Sequence, residues 1–598
     1  MFRILPIRRG ALASSVLILL AATSFAQTVP EMTLAGQIDG SYPNGPVSFG
    51  TALITPGDLD GDGVDDFIVT ARFWNPLNLS PSEIRAVSGS DLSTIYSIAG
   101  TYSGVFIYGI SLGLVGDIDL DGVQDFATVD KNFTAYTIRV AVRSGATGQP
   151  IYTSPMSLFT PDVFIEPLGD RSGDGVSEFA VSPVLGGVAI VDGATGVVRQ
   201  TLTNPSPSYG SGGIRAIGDL NGDGLEDLAV FWSSFSWTAS NMEILTSSGG
   251  SFVTTEVVTT TQAQVDVTKA PDLDLDGLPD YFISVVEPYF SGIPAIIEAR
   301  SGATNAVLWT APSPPPGWIY GGHEKPLTMR DLNGDGVSEV AFTLAQVPVV
   351  NNMLTQRILV HSGLDGQPLT QVTLDPVTGY SLPNGFPHSS GLGSGDFNGD
   401  GLADIVVPEP LGNAGAGYVR VYFAPSVFDP TTAQGNVMDA GGARVDVLKV
   451  GAVGGGGITA GGATRAVVFP IGADIAVHLE GAYGTPPNQS PFALFGKVLP
   501  GGSQHTFVLP FGIGAMCFAP EVFDPYGVAP LFTLLNTFGG WPALLLGSPL
   551  LFPAQSLQVA STGPIPIPVS FWLQGFLTDL SKPWPYLSVT NAIRVVVR

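Results

Sequence analysis

The feature that most constrains the fold is a nine-residue acidic pattern, Asp-x-[Asp/Asn/Ser]-x-Asp-Gly-x-x-[Asp/Glu], which occurs seven times in the first two thirds of the chain. Successive copies begin 49 to 65 residues apart. A period of this length is typical of propeller blades or solenoid units, because each repeat buries its apolar faces against its neighbours. The seven loops are Asp58–Asp66, Asp117–Asp125, Asp170–Glu178, Asp219–Asp227, Asp272–Asp280, Asp331–Glu339 and Asp396–Asp404.

Each loop offers oxygen atoms from the side chains at positions 1, 3, 5 and 9 and from the backbone carbonyl of position 7, with a glycine at position 6 for the turn. Calcium takes oxygen ligands at roughly 2.3–2.6 Å, whereas magnesium prefers a strict octahedron and zinc favours His or Cys. The sequence therefore predicts up to seven Ca²⁺ ions. The predicted ligands are, loop by loop, Asp58, Asp60, Asp62, Val64 and Asp66; Asp117, Asp119, Asp121, Val123 and Asp125; Asp170, Ser172, Asp174, Val176 and Glu178; Asp219, Asn221, Asp223, Leu225 and Asp227; Asp272, Asp274, Asp276, Leu278 and Asp280; Asp331, Asn333, Asp335, Val337 and Glu339; and Asp396, Asn398, Asp400, Leu402 and Asp404.

The alternative interpretation of each loop is an Asp/Asn-Gly turn that caps its own backbone and binds nothing. Repetition favours calcium, because three or four carboxylates within nine residues repel one another unless a cation is present. Nearly half of the 51 Asp and Glu residues occupy the predicted ligand positions. The third loop is the weakest candidate, since Ser172 offers only a neutral hydroxyl.

The segments around the loops read as short strands. Each loop is followed by an apolar run such as Phe67–Val69, and most repeats contain a second turn such as Ser144–Gly148. About four antiparallel strands per repeat and seven repeats predict an all-β, seven-bladed β-propeller. No second turn follows Val419–Phe423, so we expect the Glu31–Ala35 segment to supply the outer strand of the last blade.

The loops, their seven-fold count and the Phe49-Gly50 pair before the first loop resemble the FG-GAP repeats of integrin alpha-subunit propellers and their bacterial, secreted, VCBS-type relatives. The resemblance covers roughly residues 30–425. It implies calcium loops at one face of a propeller and adhesion or ligand binding rather than chemistry. The pair becomes Tyr108-Gly109 in the second copy and is unclear in the third, fifth and sixth copies.

The first 26 residues are typical of a secretory signal peptide. Arginines at positions 3, 8 and 9 precede the apolar stretch 11–22, and small residues precede a predicted cleavage after Ala26. A membrane anchor is the alternative, although the apolar stretch is short for a bilayer span. We therefore expect the protein to be secreted or held at the cell surface.

The final third lacks the repeat and is expected to be a separate domain. Its segments Arg444–Val450, Asp474–Leu479 and Ile593–Val597 alternate in the manner of strands, which favours a β-sandwich-like domain. Prolines and glycines interrupt the uncharged stretch between Asp524 and Asp579, so a transmembrane helix is not predicted. The predicted domains are 1–26 (signal peptide), 27–430 (propeller) and 431–598 (sandwich-like domain).

The net charge of −27 disfavours a nucleic-acid partner. No catalytic constellation is visible, since Gly109–Gly113 matches Gly-x-Ser-x-Gly on a strand rather than at a strand-to-helix turn, and the five histidines form no metal or triad pattern. We expect no enzyme, but an adhesion or ligand-binding module for an extracellular protein or glycan. The alternative is a lectin or polysaccharide lyase-like propeller, whose sugar-stacking candidates would be Trp74, Trp232, Trp237, Trp309 and Trp318.

Overall fold

The computed structural model describes most of the repeat region and isolated strand segments beyond it. Every regular element with described bounds is a β-strand. Among the described residues there is no helix long and apolar enough to cross a bilayer. The structure describes residues 30–40, 48–72, 83–99, 106–107, 111–132, 137–157, 163–184, 187–203, 209–234, 239–248, 251–261, 264–274, 276–286, 296–320, 326–332, 337–346, 353–378, 391–410, 412, 416–425, 448–452, 459–460, 466–469, 473–479, 492–498, 507–509, 514–516, 531–536, 557–564, 569–578, 587–589 and 593–597.

The described repeat region forms a compact unit of Pro30–Arg330 and Ser338–Ala424, while the strands after Pro425 belong to a second unit. The first unit contains seven successive antiparallel sheets, which are the blades, and a separate pair of short strands within the sixth repeat. The strands of blades one to three, after the N-terminal β1 (Thr33–Asp39), are β2 (Ser48–Gly57), β3 (Asp66–Arg72), β4 (Glu83–Val87) and β5 (Thr94–Ala99); β6 (Phe106–Ile107), β7 (Leu112–Gly116), β8 (Asp125–Asn132), β9 (Thr137–Arg143) and β10 (Pro150–Ser157); and β11 (Phe164–Gly169), β12 (Glu178–Val184), β13 (Gly187–Val191) and β14 (Val198–Thr203).

Blades four to seven repeat this order. Blade six places two short strands, β23 and β24, beside β25, as blade two places β6 and β7 beside β8. The strands are β15 (Tyr209–Gly218), β16 (Asp227–Ser234), β17 (Ala239–Ser248) and β18 (Ser251–Thr261); β19 (Gln264–Ala270), β20 (Asp280–Val286), β21 (Ile296–Arg300) and β22 (Val307–Thr310); β23 (Trp318–Tyr320), β24 (Leu327–Met329), β25 (Glu339–Gln346), β26 (Met353–Leu354), β27 (Gln356–His361), β28 (Pro368–Thr373) and β29 (Val377–Thr378); and β30 (Gly393–Gly395), β31 (Asp404–Glu409) and β32 (Tyr418–Phe423).

The seven sheets form a closed ring. The first strands of neighbouring blades contact one another in the order β2, β7, β11, β15, β19, β24 and β30, and β30 contacts β2. The N-terminal β1 pairs antiparallel with β32 and is the fourth strand of the seventh sheet. Of the segment Glu31–Ala35, which was predicted to supply this strand, residues 33–35 lie in β1, and the strand continues to Asp39. The prediction of an all-β, seven-bladed propeller is confirmed.

The hydrophobic core lies between adjacent blades. Val115 of blade two and Phe179 of blade three belong to one buried cluster, and Phe67 of blade one meets Phe397 of blade seven at a ring-centroid distance of 6.0 Å. Strands inside a sheet therefore bury both faces: seven of the eight residues of β25 are buried. The outer strand β5 instead alternates between exposed and partly buried residues. The apolar runs after the loops are the strands that neighbouring blades cover.

The second unit is also built of strands. They form a sheet in the order β34-β33-β36-β41, a sheet in the order β35-β44-β42-β37-β40 with β43 beside β42, and the β38–β39 pair. The stacking of two sheets into a sandwich stays a prediction. The strands are β33 (Leu448–Ala452), β34 (Thr459–Ala460), β35 (Ala466–Phe469), β36 (Asp474–Leu479), β37 (Phe492–Val498), β38 (Phe507–Leu509), β39 (Gly514–Met516), β40 (Leu531–Asn536), β41 (Leu557–Pro564), β42 (Val569–Thr578), β43 (Leu587–Val589) and β44 (Ile593–Val597).

Candidate metal centres

Every acidic loop leads from the first strand of a blade into the second strand. The loops therefore follow the carboxyl ends of the ring-forming strands. Contacts between loops agree with a shared face: the Asp65 N–H donates to the Asp396 carbonyl at 3.0 Å, and the Asp396 N–H donates to Asp65 Oδ2 at 2.8 Å. Arg330, which precedes the sixth loop, forms a salt bridge of 3.0 Å with Asp65. The propeller thus gathers loops that lie far apart in sequence.

The position-1 carboxylate sets the curvature of each loop. In the first loop Asp58 Oδ1 accepts the Gly61 N–H at 2.7 Å, and Asp58 Oδ2 accepts the Gly63 N–H at 2.9 Å. Gly63 has a φ of 87°, a left-handed conformation that favours glycine. The bond to the position-6 N–H recurs in loops two to five and seven, whose acceptors are Asp117, Asp170, Asp219, Asp272 and Asp396.

The side chains at positions 3 and 5 accept backbone N–H groups of the same loop. Asp60 Oδ1 accepts the Asp62 N–H at 3.1 Å, and Asp62 Oδ1 accepts the Val64 N–H at 2.9 Å. Each bond orients a carboxylate through one oxygen, and a carboxylate oxygen has lone pairs for a further ligand. The same hydrogen bonds are expected in an Asp/Asn-Gly turn that caps its own backbone and binds no metal. They therefore define the loop conformation under both interpretations.

The position-9 carboxylate is buried and links two turns. Asp125 Oδ2 accepts the Ile118 N–H at 2.7 Å, and Asp125 Oδ1 accepts the Gly145 N–H of the second turn at 2.8 Å. The second-turn donors were missed by the sequence analysis, although the recurring Ser-Gly dipeptides were a visible signal. The donors in blades one, four, five and seven are the N–H groups of Gly89, Ser247, Gly302 and Ala424, which bond to Asp66, Asp227, Asp280 and Asp404.

Burial opposes ionisation at position 9. Desolvation raises the pKa of Asp125 to about 6, against the lowering effect of its backbone hydrogen bonds, and the nearby charge of Asp119 adds to the rise. The same causes raise the pKa of Asp66, Asp227 and Asp280 to about 6 and that of Asp404 to about 7. A bound cation would reverse this effect, because an opposite charge favours the ionised carboxylate.

Among the described residues, three loops bring ligand oxygens close to one another. In each, three carboxylates contribute one oxygen to a group whose members all lie within 4.8 Å of one another. All three groups are oxygen-only, which fits a hard cation such as calcium. The groups are Asp58, Asp60 and Asp62; Asp117, Asp119 and Asp125; and Asp272, Asp274 and Asp276.

The remaining loops differ at position 3. Asn221 and Asn398 replace aspartate in loops four and seven, and each side-chain oxygen accepts the N–H of position 5, at 3.0 and 2.8 Å. Ser172 of loop three directs its hydroxyl toward Asp170 at 3.5 Å. In the sixth loop Asn333 and Asp335 lie outside the described residues.

The residues considered for other chemistry have packing roles where they are described. His361 is fully buried, its Nδ1 lies 2.7 Å from the Gly366 carbonyl, and desolvation lowers its pKa to about 4. Trp309 Nε1 donates to the Gly363 carbonyl at 2.7 Å, and Trp318 stacks against Arg357. Of the other candidates, Trp232 lies in β16 and His478 in the strand Asp474–Leu479, whereas Gly109, Trp74, Trp237, His323, His388 and His505 lie outside the described residues.

Comparison with known proteins supports the repeat assignment. Residues 389–422, which contain the seventh loop and strands β30 to β32, match the family model of the FG-GAP repeat. The FG-GAP resemblance is thereby confirmed at this repeat. No curated protein has significant sequence similarity to the chain.

Several solved structures are similar to the chain, each over 66% of its length. They include BBS1N in its complex with ARL6DN soaked with lead (11% identity, 98% of that chain, TM-score 0.39) and the Dos1 propeller (9% identity, 95% of that chain, TM-score 0.35). Another is the rhamnogalacturonan lyase PL11 of Bacillus licheniformis (12% identity, 91% of that chain, TM-score 0.30).

Proposed function

We propose that this chain is a calcium-binding FG-GAP-type propeller that acts as an extracellular adhesion or ligand-binding module. The observation that carries the proposal is the convergence of three carboxylate oxygens within 4.8 Å in each of three loops. Such a group gains from a divalent ion, because the ion removes the repulsion between the carboxylates. The ligand would be an extracellular protein or a glycan.

The residues have distinct parts in this function. In the first loop, Asp58, Asp60 and Asp62 would bind the ion through side chains, and Val64 through its carbonyl. The buried Asp66 would complete the charge of the site while it holds the second turn. Calcium would therefore stiffen both turns of a blade at once. A stiffened face presents its exposed loops to a partner at a lower entropic cost.

A location outside the cell agrees with calcium sites of low affinity. Calcium-binding modules outside cells have dissociation constants of about 10⁻⁴–10⁻³ M. Export through the 1–26 signal peptide and a sandwich-like C-terminal domain are part of the proposal. A carbohydrate-active propeller finds no support in Trp309 and Trp318, which are engaged in packing.

The proposal is tested by calcium titration and thermal unfolding of the purified full-length protein. Calcium at a hundredfold excess over the dissociation constant stabilises by about 2.7 kcal/mol per independent site, so chelation should lower the melting temperature markedly. The paired Asp60→Ala and Asp62→Ala substitutions should remove one bound ion per chain. Asp91→Ala is the matched control, because Asp91 lies in the same blade outside the loop and should leave the count unchanged. Failure to detect bound calcium at millimolar concentration would refute the proposal.

A further inference from the structure

The third blade departs from the other blades at four positions that lie around its acidic loop. Position 3 of the loop is Ser172, and position 2 is Arg171. The first residue of the second turn is Asp192, and Arg199 follows seven residues later. The departures add two arginines and one aspartate near the loop, and position 3 offers a hydroxyl in place of the carboxylate or amide of the other loops.

The equivalent residues in other blades are neutral. Position 2 holds a buried apolar residue in the other six loops, namely Leu59, Ile118, Leu220, Leu273, Leu332 and Phe397. The position of Asp192 holds Ser88, Ser144, Ser301 and Ser362 where the second turn is present. The position of Arg199 holds Ile95, Ile151, Leu308 and Leu369.

The Arg199 guanidinium lies beside the buried carboxylate of the loop. Its Nε is 3.7 Å from Glu178 Oε1, and it also hydrogen-bonds Asp192. The hydrogen bond to Asp192 raises the pKa of Arg199, and the charges of Glu178 and Asp174 add to the rise. A permanent positive charge therefore stands near positions 5 and 9 of the loop.

Glu178 is also bonded differently from the position-9 aspartates. Its Oε2 accepts the N–H groups of Arg171 at 2.6 Å and Ser172 at 3.2 Å, as in the other loops. Its Oε1 is buried and accepts no hydrogen bond from the described residues, whereas Asp125 accepts the second-turn N–H through Oδ1. Arg199 is thus the group that faces this oxygen.

Arg171 places a second guanidinium between the third and fourth loops. It donates to the Glu226 carbonyl at 2.9 Å and to Ser247 Oγ at 3.2 Å, and it stacks on Phe252 at 4.2 Å. The third loop nevertheless keeps the shared conformation, since Asp170 accepts the N–H groups of Gly173 and Gly175, both at 2.7 Å.

We propose that Arg199 supplies the positive charge that Glu178 needs in the third repeat, so that this loop is folded without calcium. The inference rests on the proposed function, because it contrasts one metal-independent loop with calcium-dependent neighbours. It makes the third blade a fixed element of the ring while the other blades respond to the calcium concentration.

Hydrogen exchange of the full-length protein, measured by mass spectrometry with calcium and with a chelator, tests this proposal. Peptides that contain loops one and two should exchange about tenfold faster in the chelator. The peptide that contains Asp170–Val176 should change by less than about threefold. A calcium response of this peptide equal to that of the other two would overturn the inference. No response in any loop would instead overturn the proposed function.

Variants of Arg199 sharpen the test. Arg199→Leu introduces the residue found at the equivalent positions 308 and 369, and it should make the third-loop peptide about tenfold faster in the chelator. Arg199→Lys keeps the charge and should behave as wild type, which makes it the matched control. Ser172→Asp combined with Arg199→Leu should add one bound calcium per chain. An unchanged calcium count in a folded double variant would contradict the proposal. If the variants do not fold, the hydrogen exchange of the wild-type protein with calcium and with chelator tests the proposal.

Discussion

The second and third blades share one loop conformation but anchor their second turns in different ways. In the second blade Asp125 accepts the Gly145 N–H, Arg143 donates to the Gly148 carbonyl at 3.1 Å, and Tyr96 of the preceding blade donates to the Gly145 carbonyl at 2.7 Å. Three bonds from outside the turn thus hold it in place.

In the third blade the turn is held by an ion pair within the blade and by the Ser154 hydroxyl of the preceding blade, which donates to the Gly196 carbonyl at 2.8 Å. Val191 stands at the position of Arg143, the Tyr152 hydroxyl lacks a hydrogen-bond partner among the described residues, and Asp192 pairs with Arg199. The difference teaches that Asp and Gly at fixed positions specify the loop conformation. The surrounding charges then determine whether the loop needs a metal ion.

The largest expected effect comes from removing the position-9 carboxylate in the two blades. Asp125→Ala leaves the buried N–H groups of Ile118 and Gly145 without acceptors, and each such group costs about 1–3 kcal/mol, so the free energy of unfolding should fall by about 2–6 kcal/mol. Glu178→Ala should cost less, because Glu178 Oε1 accepts no hydrogen bond from the second turn, whereas Asp125 Oδ1 accepts the Gly145 N–H. Denaturant unfolding in chelator measures both variants without a contribution from calcium. Equal losses would break the comparison between the blades.

Much of this architecture could be predicted, because the loop residues act locally. Asp58 bonds to Gly61 and Gly63 within its own loop, so the nine-residue pattern contains both partners. The number of blades follows from the number of loops. The position of β1 beside β32 was also inferable, because the last repeat lacks its own outer strand.

The remaining features depend on partners that are distant in sequence. The bond between Asp125 and Gly145 requires the register of β8 and β9, and the contact of Arg199 with Glu178 requires the packing of a whole blade. In the sequence, Arg199 stands out only because the equivalent positions of other repeats are apolar. Its role cannot be inferred until the neighbouring side chains are known. Trp309 was a sugar-stacking candidate by residue type alone, whereas its contacts place it between blades.

A prediction about the pH dependence of stability concerns the sixth blade. There His361 Nδ1 bonds to the Gly366 carbonyl, as Arg143 bonds to the Gly148 carbonyl in the second blade. His361 is neutral in the folded state because burial between Tyr320 and Phe342 lowers its pKa to about 4. The unfolded chain binds a proton near pH 6.5, so stability should be lost as pH falls from about 6.5 to 4, by about 3 kcal/mol in total.

His361→Gln should remove this dependence, because the amide can donate to Gly366 and does not titrate. The position-9 aspartates act in the opposite direction, since a raised pKa favours the folded state at low pH. The difference in denaturation midpoint between wild type and the variant cancels that contribution, since both proteins retain those aspartates. A difference that stays constant between pH 7 and 4 would show that protonation of His361 does not limit stability.

The smallest expected effect is a difference in stability between two Tyr→Phe variants, at tyrosines that pack against equivalent glycines. Tyr96 lies against Gly148 of the second blade and Tyr152 against Gly196 of the third, but only the Tyr96 hydroxyl has a partner among the described residues. Tyr96→Phe should cost about 1 kcal/mol, because the Gly145 carbonyl loses its donor. Tyr152→Phe should leave stability unchanged or raise it, since it removes a buried hydroxyl without a hydrogen bond.

Each substitution is the control for the other, because ring, burial and neighbouring glycine are matched. An equal cost for both, measured by denaturant unfolding, would mean that the Tyr152 hydroxyl supports the third-blade turn as the Tyr96 hydroxyl supports the second-blade turn, and it would contradict the expected difference between the two blades.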